Sequence, residues 1–377
     1  MTYRVPLTTI TSITPIPNAE RLEIARVYGW DIVVQKNRYQ VGSVVVLIPI
    51  DSIIPQWLED KVFPPNGKVK LHRHRVRQIR LRGQVSQGLL IDPADVAEGI
   101  ASWAEANKKK KVDLELEQDL AEMIGVTKYE PEVHDNTPKA AIKRNKPLEN
   151  PYFRKYNGIT NIKWNPNAFV GQDVVIQDKY HGSHIRFGRA PFVANTFWKK
   201  VKKFLGLTPK FESVYGSNNV ELTNRPGNKG FYGMNVYGTA IEKEGAFEFI
   251  EDGAFVHAEL IGPGLQKNYT YGLTEHHIIV FDVRLMQEDG TQKWLDPEDA
   301  EKWADERGFD FAEVLYKGPF DKDVLEKLTV GRCSLGNEVR EGVVVKARYH
   351  YDNQGDKVGF KSISPEYLAD TSNSDEH

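Results

Sequence analysis

The chain has 377 residues, 40% hydrophobic and 27% charged, with a formal net charge of -2 and a single cysteine. That length buries a large core and suits two or three domains, while the near-neutral balance does not announce a nucleic-acid partner and one cysteine excludes a disulfide framework or a cysteine-rich zinc site. No apolar run reaches the length of a membrane span and MTYRVPLTTI lacks the basic and apolar regions of a secretory signal, so a reducing, cytoplasmic compartment and no membrane partner are expected.

The first hundred residues read as short strands, Leu22 to Val27, Asp31 to Val34 and Ser43 to Pro49, with Gly or Pro between them, which predicts a small all-β barrel. The run KVKLHRHRVRQIRLR, residues 68 to 82, carries seven Lys or Arg and two His. Lys68, Lys70, His72 and His74 recur at every second position, so on a strand they share one face. Such a face can track a phosphate backbone, and it can equally be the solvated outside of the barrel. Ala101 to Gly125 is richer in helix formers, holds four consecutive lysines (Lys108 to Lys111), and spaces Leu116, Leu120, Met123 and Ile124 as an amphipathic helix would. TKYEPEVHDNTPKAAIKRNKPLENP is polar and aperiodic and contains several prolines, which marks a linker and a domain boundary. Beyond it strands dominate again, with a helix over Pro297 to Arg307, and the closing DTSNSDEH is expected to be disordered.

One short stretch raises a chemical question. DKYHG, Asp178 to Gly182, places a lysine after the apolar run Val174-Val175-Ile176. Lys-x-x-Gly also occurs at Lys155/Gly158 and Lys203/Gly206, but RKYNG is a polar turn and in WKKVKKFLG the glycine reads as a helix stop. Of the three, Lys179 alone ends an apolar strand and is placed to enter a partly buried site. Downstream, FVHAELIG fixes Glu259 inside an apolar strand, where a carboxylate must be paired, hydrogen-bonded or metal-bound to offset its burial. HHIIVFDVR ends a strand with Phe281 and Asp282, REGVVVKA brackets a glycine and three valines with Glu341 and Lys346, and KVGFKSIS adds Lys357 and Lys361. Any one of these can be a strand end dipping into water. Recurring in this order, they point to one polar site built on a sheet. The absence of a GxxxxGK[ST] loop argues against a P-loop ATPase.

The order DKYHG, FVHAELIG, IIVFDVR, EGVVVK, GFKSIS resembles the motif series of the covalent nucleotidyltransferases, the polynucleotide ligases and RNA capping enzymes. FKSISPEYL and SLGNEVREGVVVK look like the ATP-dependent RNA ligases. ERLEIARVYGWDIVVQ, RLRGQVSQGLL and MIGVTKYEP resemble the OB-fold domain and connector of the nick-sealing branch that carries the OB domain first. The resemblance implies an α+β chain. An OB-like nucleic-acid-binding β-barrel with a C-terminal helix would occupy 1-130, and a linker 131-150. A nucleotidyltransferase (ATP-grasp-like ligase adenylation) domain of antiparallel sheets and flanking helices would fill 151-369, leaving a tail at 370-377. It also implies a monomeric ligase that uses ATP and Mg²⁺ or Mn²⁺ to seal 3′-OH/5′-phosphate breaks in nicked RNA-containing duplexes.

Under this resemblance Lys179 attacks the α-phosphate of ATP and becomes a lysyl-adenylate. A free lysine, with a pKa near ~10.4, must lose a proton first, which neighbouring cations, a metal ion or desolvation favour. Asp178, Gly182, Glu259, Phe281, Lys346 and Lys361 are expected at the nucleotide. Glu259 would hold a ribose hydroxyl, Phe281 would stack on adenine, Lys346 and Lys361 would hold phosphates, and Gly182 would let the backbone come close. Glu341 would coordinate the metal, an oxygen-ligand task suited to Mg²⁺. Arg75, Arg77, Arg80, Arg82 and Arg225 are expected to touch nucleic acid.

The chain departs from the family pattern in places. His181 stands where some relatives carry aspartate, Asp178 where many have glutamate, HAEL replaces the more usual GEL, and Gly359 fills the earlier slot of a lysine pair. Gly216-Ser217-Asn218-Asn219 lacks the arginine that relatives place there, a role open to Arg225. PFVANTFWKKVKKFLGLTPKF is an insertion in which Trp198, Val201 and Leu205 share a helical face amid four lysines. It reads as a lid clamping RNA by charge and stacking or as a surface helix covering a sheet edge; a basic amphipathic helix can also read as membrane-binding, which nothing else in the sequence supports. His276 and His277, neighbours on a strand, face opposite sides and read as structural. A DNA ligase, a GTP-using capping guanylyltransferase and a catalytically silent nucleic-acid-binding relative are the alternative readings.

Overall fold

The computed structural model describes residues 3-63, 70-109, 111-129, 149-194, 197-223, 234-267, 269-351 and 357-369, without side-chain placement at 349-351 and 357. The expected linker (except for Glu149 and Asn150) and tail, Arg225, Lys68 and Lys110 lie outside the described residues. The chain divides into two compact units, Met1–Glu132 with Thr160–Ala168 and Pro365–His377, and Val133–Ile159 with Phe169–Ser364.

The first unit opens with strands β1 (Leu7–Thr9), β2 (Ser12–Pro15), β3 (Leu22–Val27), β4 (Trp30–Gln35), β5 (Val44–Pro49) and β6 (Ser52–Ile53). After helix α1 (Gln56–Val62) come β7 (Arg75–Val76), β8 (Ile79–Leu81), β9 (Gln84–Ser86) and β10 (Gly88–Ile91). Helix α2 (Pro93–Ala106), helix α3 (Ala121–Ile124) and two short strands, β11 (Thr127–Lys128) and β12 (Thr160–Asn161), complete its described elements apart from 3-10 turns and a final helix, Pro365–Ala369. β2-β3-β4 form an antiparallel meander, and β5 lies between β1 and β10. The unbroken apolar run of β5 has a simple cause. Its alternate side chains enter two different cores, Val46 and Ile48 in one and Val45 and Leu47 in the other, so neither face can be polar.

Two expectations need correction here. The amphipathic helix expected across Leu116 to Ile124 is confined to α3. Upstream of it the backbone pairs with the first strand instead, Glu117 N–H to the Leu7 carbonyl and Leu120 N–H to the Val5 carbonyl. Those tertiary hydrogen bonds compete with the helical ones, and Leu116 is left exposed. The basic run is not one strand either, because His72–His74 forms a 3-10 turn with Arg73 and His74 at positive φ. The turn breaks the period of two, so the run presents no single cationic face.

Arg75 leaves the expected nucleic-acid set altogether. It is buried, it pairs with Asp51 at 2.7 Å, and its guanidinium lies 3.6 Å from the centre of the Tyr129 ring. Arg77 is half-buried, and Arg80 and Arg82 are exposed.

The second unit contains two antiparallel sheets. One has the order β22-β21-β13-β20, from β13 (Asp173–Lys179), β20 (Val314–Pro319), β21 (Gly342–Tyr351) and β22 (Lys357–Ile363). The other has the order β15-β14-β16-β17-β18, from β14 (Ser183–Pro191), β15 (Phe211–Ser217), β16 (Ala254–Ile261), β17 (His277–Met286) and β18 (Gln292–Trp294), with β19 (Asp310–Phe311) parallel to β17. Helix α4 (Phe197–Phe204) sits in the β14–β15 connection, α5 (Val236–Lys243) and α6 (Ala246–Phe249) precede β16, α7 (Pro297–Asp305) follows β18, and α8 (Lys322–Thr329) precedes β21. Ile185, Phe187, Val256, Ala258 and Val280 form one core with Tyr237 and Ile241 of α5 and Trp303 and Ala304 of α7.

The buried, stacked Arg75–Asp51 pair predicts that Arg75→Ala lowers stability by about 3 kcal/mol. Arg80→Ala, at an exposed position, should leave the urea midpoint unchanged. Equal midpoints for the two variants would show that Arg75 carries no structural burden.

Candidate active site

Antiparallel register decides which side chains meet. β13 pairs with β21 so that Lys179 lies opposite Gly342, Gln177 opposite Val344 and Val175 opposite Lys346, while β21 pairs with β22 so that Val344 lies opposite Lys361. Directly opposed residues share a face, so Gln177, Lys179, Val344, Lys346 and Lys361 project to one side of the sheet. Asp178 and Val343 project to the other. This gathers residues separated by more than 160 positions without any long loop.

On the first face lies a pocket of about 200 Å³, lined by Gln177, Lys179, Val344 and Lys346 from this sheet and by Glu259, Ile279 and Phe281 from β16 and β17. Tyr156, Gly158, His184, Asn218 and Ala312 also contribute to its walls. Its mostly apolar lining with a few polar groups is the character of a small-molecule site.

Lys179 Nζ lies 2.5 Å from Glu341 Oε1, with the lysine partly open and the carboxylate buried. The second oxygen of Glu341 faces His181 Nδ1 at 3.8 Å. Glu259 accepts the Gly182 N–H at 3.1 Å. Burial pushes the Glu259 carboxyl up to about 8; Lys179 pulls it down, Glu341 pushes it further up, and the Gly182 N–H pulls it down. Burial thus favours the protonated form of Glu259, which has a proton to donate. Gly182 is needed because a Cβ there would stand 2.3 Å from the Leu260 carbonyl oxygen. The close approach is to β16, which brings Glu259 up to the backbone after the lysine.

Lys346 is buried, 2.8 Å from Asp282 Oδ2, and donates to the Phe281 carbonyl at 2.7 Å. Tyr156 donates its hydroxyl to the same Asp282 oxygen at 2.7 Å and packs edge-on against Phe281. Asn218, in the slot of the missing arginine, accepts the Tyr156 N–H at 2.8 Å and returns a bond to its carbonyl. It thus holds the segment that forms the pocket wall. His184 and His257 face each other at 3.4 Å behind Tyr156, and burial above all, with Arg186 adding, drives His184 down to about 3, so it stays neutral. His276 and His277 do point to different partners. His276 contacts the Pro263 carbonyl, whereas His277 lies between Glu244 and Asp310.

Asp178 differs from its neighbours. Its carboxylate accepts from Ser334 N and Oγ, both at 2.8 Å, and from Arg340 Nε at 3.1 Å. Cys333 Sγ lies 3.4 Å away, and burial with Asp178 beside it pushes that thiol up to about 12. The Asp178 side chain is spent on the Cys333–Arg340 segment, so its part at a nucleotide would be through backbone alone.

Sequence reasoning passed over Gln177. Its Nε2 is held at 3.4 Å by the Ala312 carbonyl, and its Oε1 is buried without a hydrogen-bond partner while the residue lines the pocket. A buried acceptor left unmade costs about 1–3 kcal/mol, which a ligand amine would relieve. The available signal was its position, two residues before the lysine and hence on the same face of the strand.

For a divalent metal, Glu341 supplies a buried oxygen donor beside the lysine. Among the described residues no group of three or more His, Cys, Asp or Glu is placed to hold an ion. That donor set fits Mg²⁺, which takes one or two carboxylates and completes its shell with substrate phosphates and water. No described helix is long and apolar enough to cross a membrane.

A lysine at the end of a strand, lying beside a mostly apolar pocket and near buried carboxylates and a second lysine, is an arrangement that offers a potential amine nucleophile to a bound small molecule. A family model described as RNA ligase matches residues 172–363, and one described as an OB-fold domain matches residues 5–93. The chain belongs to the RNA ligase family and carries an OB-fold domain before its ligase domain. Among solved structures, a Naegleria gruberi RNA ligase mutant with ATP and Mn matches at 20% identity and a TM-score of 0.70, over 98% of this chain and 100% of that one. The same organism's RNA ligase with PPi matches at 21% identity and a TM-score of 0.69, over 99% and 100%. A further mutant with AMP and Mn matches at 20% identity and a TM-score of 0.70, again over 99% and 100%. No curated protein matches.

The raised Glu259 carboxyl has a consequence for stability. The unfolded chain releases this proton near ~4.3, whereas the folded protein keeps it up to about 8. Between those values the native state binds more protons, so its stability falls as pH rises through the window. Urea midpoints from pH 5 to 9 should therefore show wild type losing ground to Glu259→Gln, which mimics the neutral acid. Parallel curves would mean that Glu259 ionises normally.

Proposed function

We propose that this chain is an ATP-dependent RNA ligase that seals 3′-OH/5′-phosphate breaks in nicked RNA-containing duplexes, with Lys179 as the nucleophile. The observation that carries the reading is Lys179 Nζ at the rim of the pocket lined by Gln177 and Phe281, with Glu341 at 2.5 Å. In the first step the neutral Nζ attacks the α-phosphorus of ATP. A P–N bond forms, the P–O bond to the β-phosphate breaks, and pyrophosphate leaves. The 5′-phosphate of the RNA then attacks the same phosphorus, breaking the P–N bond and giving an RNA-adenylate with Lys179 regenerated. The 3′-OH finally attacks the 5′-phosphate, and AMP departs.

The protein's part is placement and electrostatics. Phe281 and Tyr156 offer aromatic edges and faces to a base. Gln177 Oε1 is a buried acceptor on a pocket-lining residue that an adenine exocyclic amine would satisfy and a guanine carbonyl would not, which supports ATP over GTP. Glu259, held by the Gly182 N–H, offers a proton to a ribose oxygen. Lys346, fixed by Asp282, and Lys361 on the same face place positive charge where phosphates would lie. Mg²⁺ or Mn²⁺ at Glu341 would neutralise phosphate charge and compete with Lys179 for that carboxylate. The OB-fold unit, with Arg80 and Arg82 exposed, would contribute phosphate contacts on the duplex.

Intact mass after incubation with Mg²⁺ and either ATP or GTP tests this directly. An AMP adduct is expected on the wild type and none on Lys179→Ala. A GMP adduct would move the chain to capping chemistry, and no adduct on protein stripped of AMP with pyrophosphate would end the enzymatic reading. With adenylation established, Gln177→Leu should raise the KM for ATP about 10- to 100-fold through the lost amine contact. An unchanged KM would remove Gln177 from base recognition. Comparison of nicks with ribose and deoxyribose at the 3′-OH end would separate RNA from DNA sealing.

A further inference from the structure

Helix α4 is turned inside out relative to its own protein. At about 100° per residue, Phe197, Trp198, Val201 and Phe204 fall within an arc of about 120°, and Lys199, Lys200, Lys202 and Lys203 occupy the rest. A surface helix ordinarily buries such an apolar stripe. Here it is the lysine side that is anchored, through Lys199 to Glu212 at 2.5 Å and over the Phe192 ring at 5.5 Å. The apolar side is bare, with Phe197 and Trp198 each 72% exposed and Phe204 91%. Leu205 and Leu207, in the turn that Gly206 closes at φ 70°, extend the exposed apolar surface. The insertion therefore does not cover a sheet edge with its apolar face.

Five large apolar side chains within eleven residues form a patch of the kind that marks a docking surface. Charge narrows the occupant. Residues 192 to 211 hold five lysines, Lys199, Lys200, Lys202, Lys203 and Lys210, and no carboxylate. A second copy would bring two such cationic helices face to face. An RNA strand would be gripped best by cations and aromatic rings in one groove, but here Lys199 and Lys203 lie behind the rings and Lys200 and Lys202 only border a convex stripe. An anionic lipid surface suits the arrangement. The aromatic and Leu side chains can enter the acyl boundary, while Lys200 and Lys202, flanking the stripe, reach the headgroups. We propose that α4 and the following turn dock this protein on membranes rich in anionic phospholipid, as a peripheral attachment separate from the ligase pocket.

The test is flotation of the full chain with vesicles of phosphatidylcholine alone or with about one third phosphatidylglycerol. Wild type should float with the anionic vesicles at least tenfold more than with neutral ones. Trp198→Glu combined with Phe204→Glu should abolish flotation, and Lys200→Ser with Lys202→Ser and Lys203→Ser should weaken it, all with wild-type adenylation and wild-type affinity for a nicked duplex. No flotation, or flotation indifferent to these substitutions, would overturn the proposal. So would a loss of duplex affinity without vesicle binding, which would assign the helix to RNA. A concentration-dependent dimer that the Glu substitutions dissolve, again without vesicle binding, would assign it to a second copy.

Discussion

An ammonium and a carboxylate facing each other in a nearly dry site, Lys179 and Glu341, set the constraint around which the ligase unit is arranged. Either charge alone would be expensive to bury. Together they are tolerated, and the pair sits where β13 begins to leave the sheet, with one side of the lysine open to the pocket. The same attraction that makes the site stable also occupies the amine. Under the proposed function, a nucleotide with its metal ion would bring a second claimant for the carboxylate, so that binding the substrate and releasing the nucleophile would become one event. Burial favours the neutral form of Glu259, which limits the negative charge in that small volume.

Alternation along β13 then divides labour between two faces. Gln177 and Lys179 look into the pocket, whereas Asp178 looks the other way and gathers Ser334 and Arg340. That hidden lock matters to chemistry because Glu341 follows Arg340 directly. Asp178 holds Arg340, and so fixes the backbone from which the carboxylate reaches Lys179. The wall formed by Tyr156 is secured in a similar way, through Asn218 and Asp282, the latter also holding Lys346.

Much of this was legible in the sequence because it depends on local pattern. The strands of the first unit and the apolar runs ending in Lys179, in Phe281 and after Glu341 announce themselves by period and composition, and they supplied the amine and the acids around it. What escaped depends on partners far away in the chain. Leu116 to Leu120 has a helical pattern, yet its backbone groups are claimed by Val5 and Leu7, a competition no local window records. Arg75 looks like one more cation in a basic run until Asp51 and Tyr129 are brought beside it. Asp178 was grouped with the nucleotide through the motif resemblance; a period of two turns its side chain to the opposite face, while the residue still borders the pocket. Gln177, an amide within an apolar strand, carries no motif, and its significance comes from an oxygen that burial leaves without a partner.

The lone thiol has a practical corollary. Cys333 is enclosed beside Asp178 and held far from its thiolate form, and reactions with maleimides, iodoacetamides or oxidants proceed through the thiolate. The native chain is thus close to silent toward thiol reagents without any cysteine having to be removed. A single cysteine placed at an exposed site would take a fluorophore or spin label almost alone, giving a reporter in a protein whose candidate active site has been left untouched.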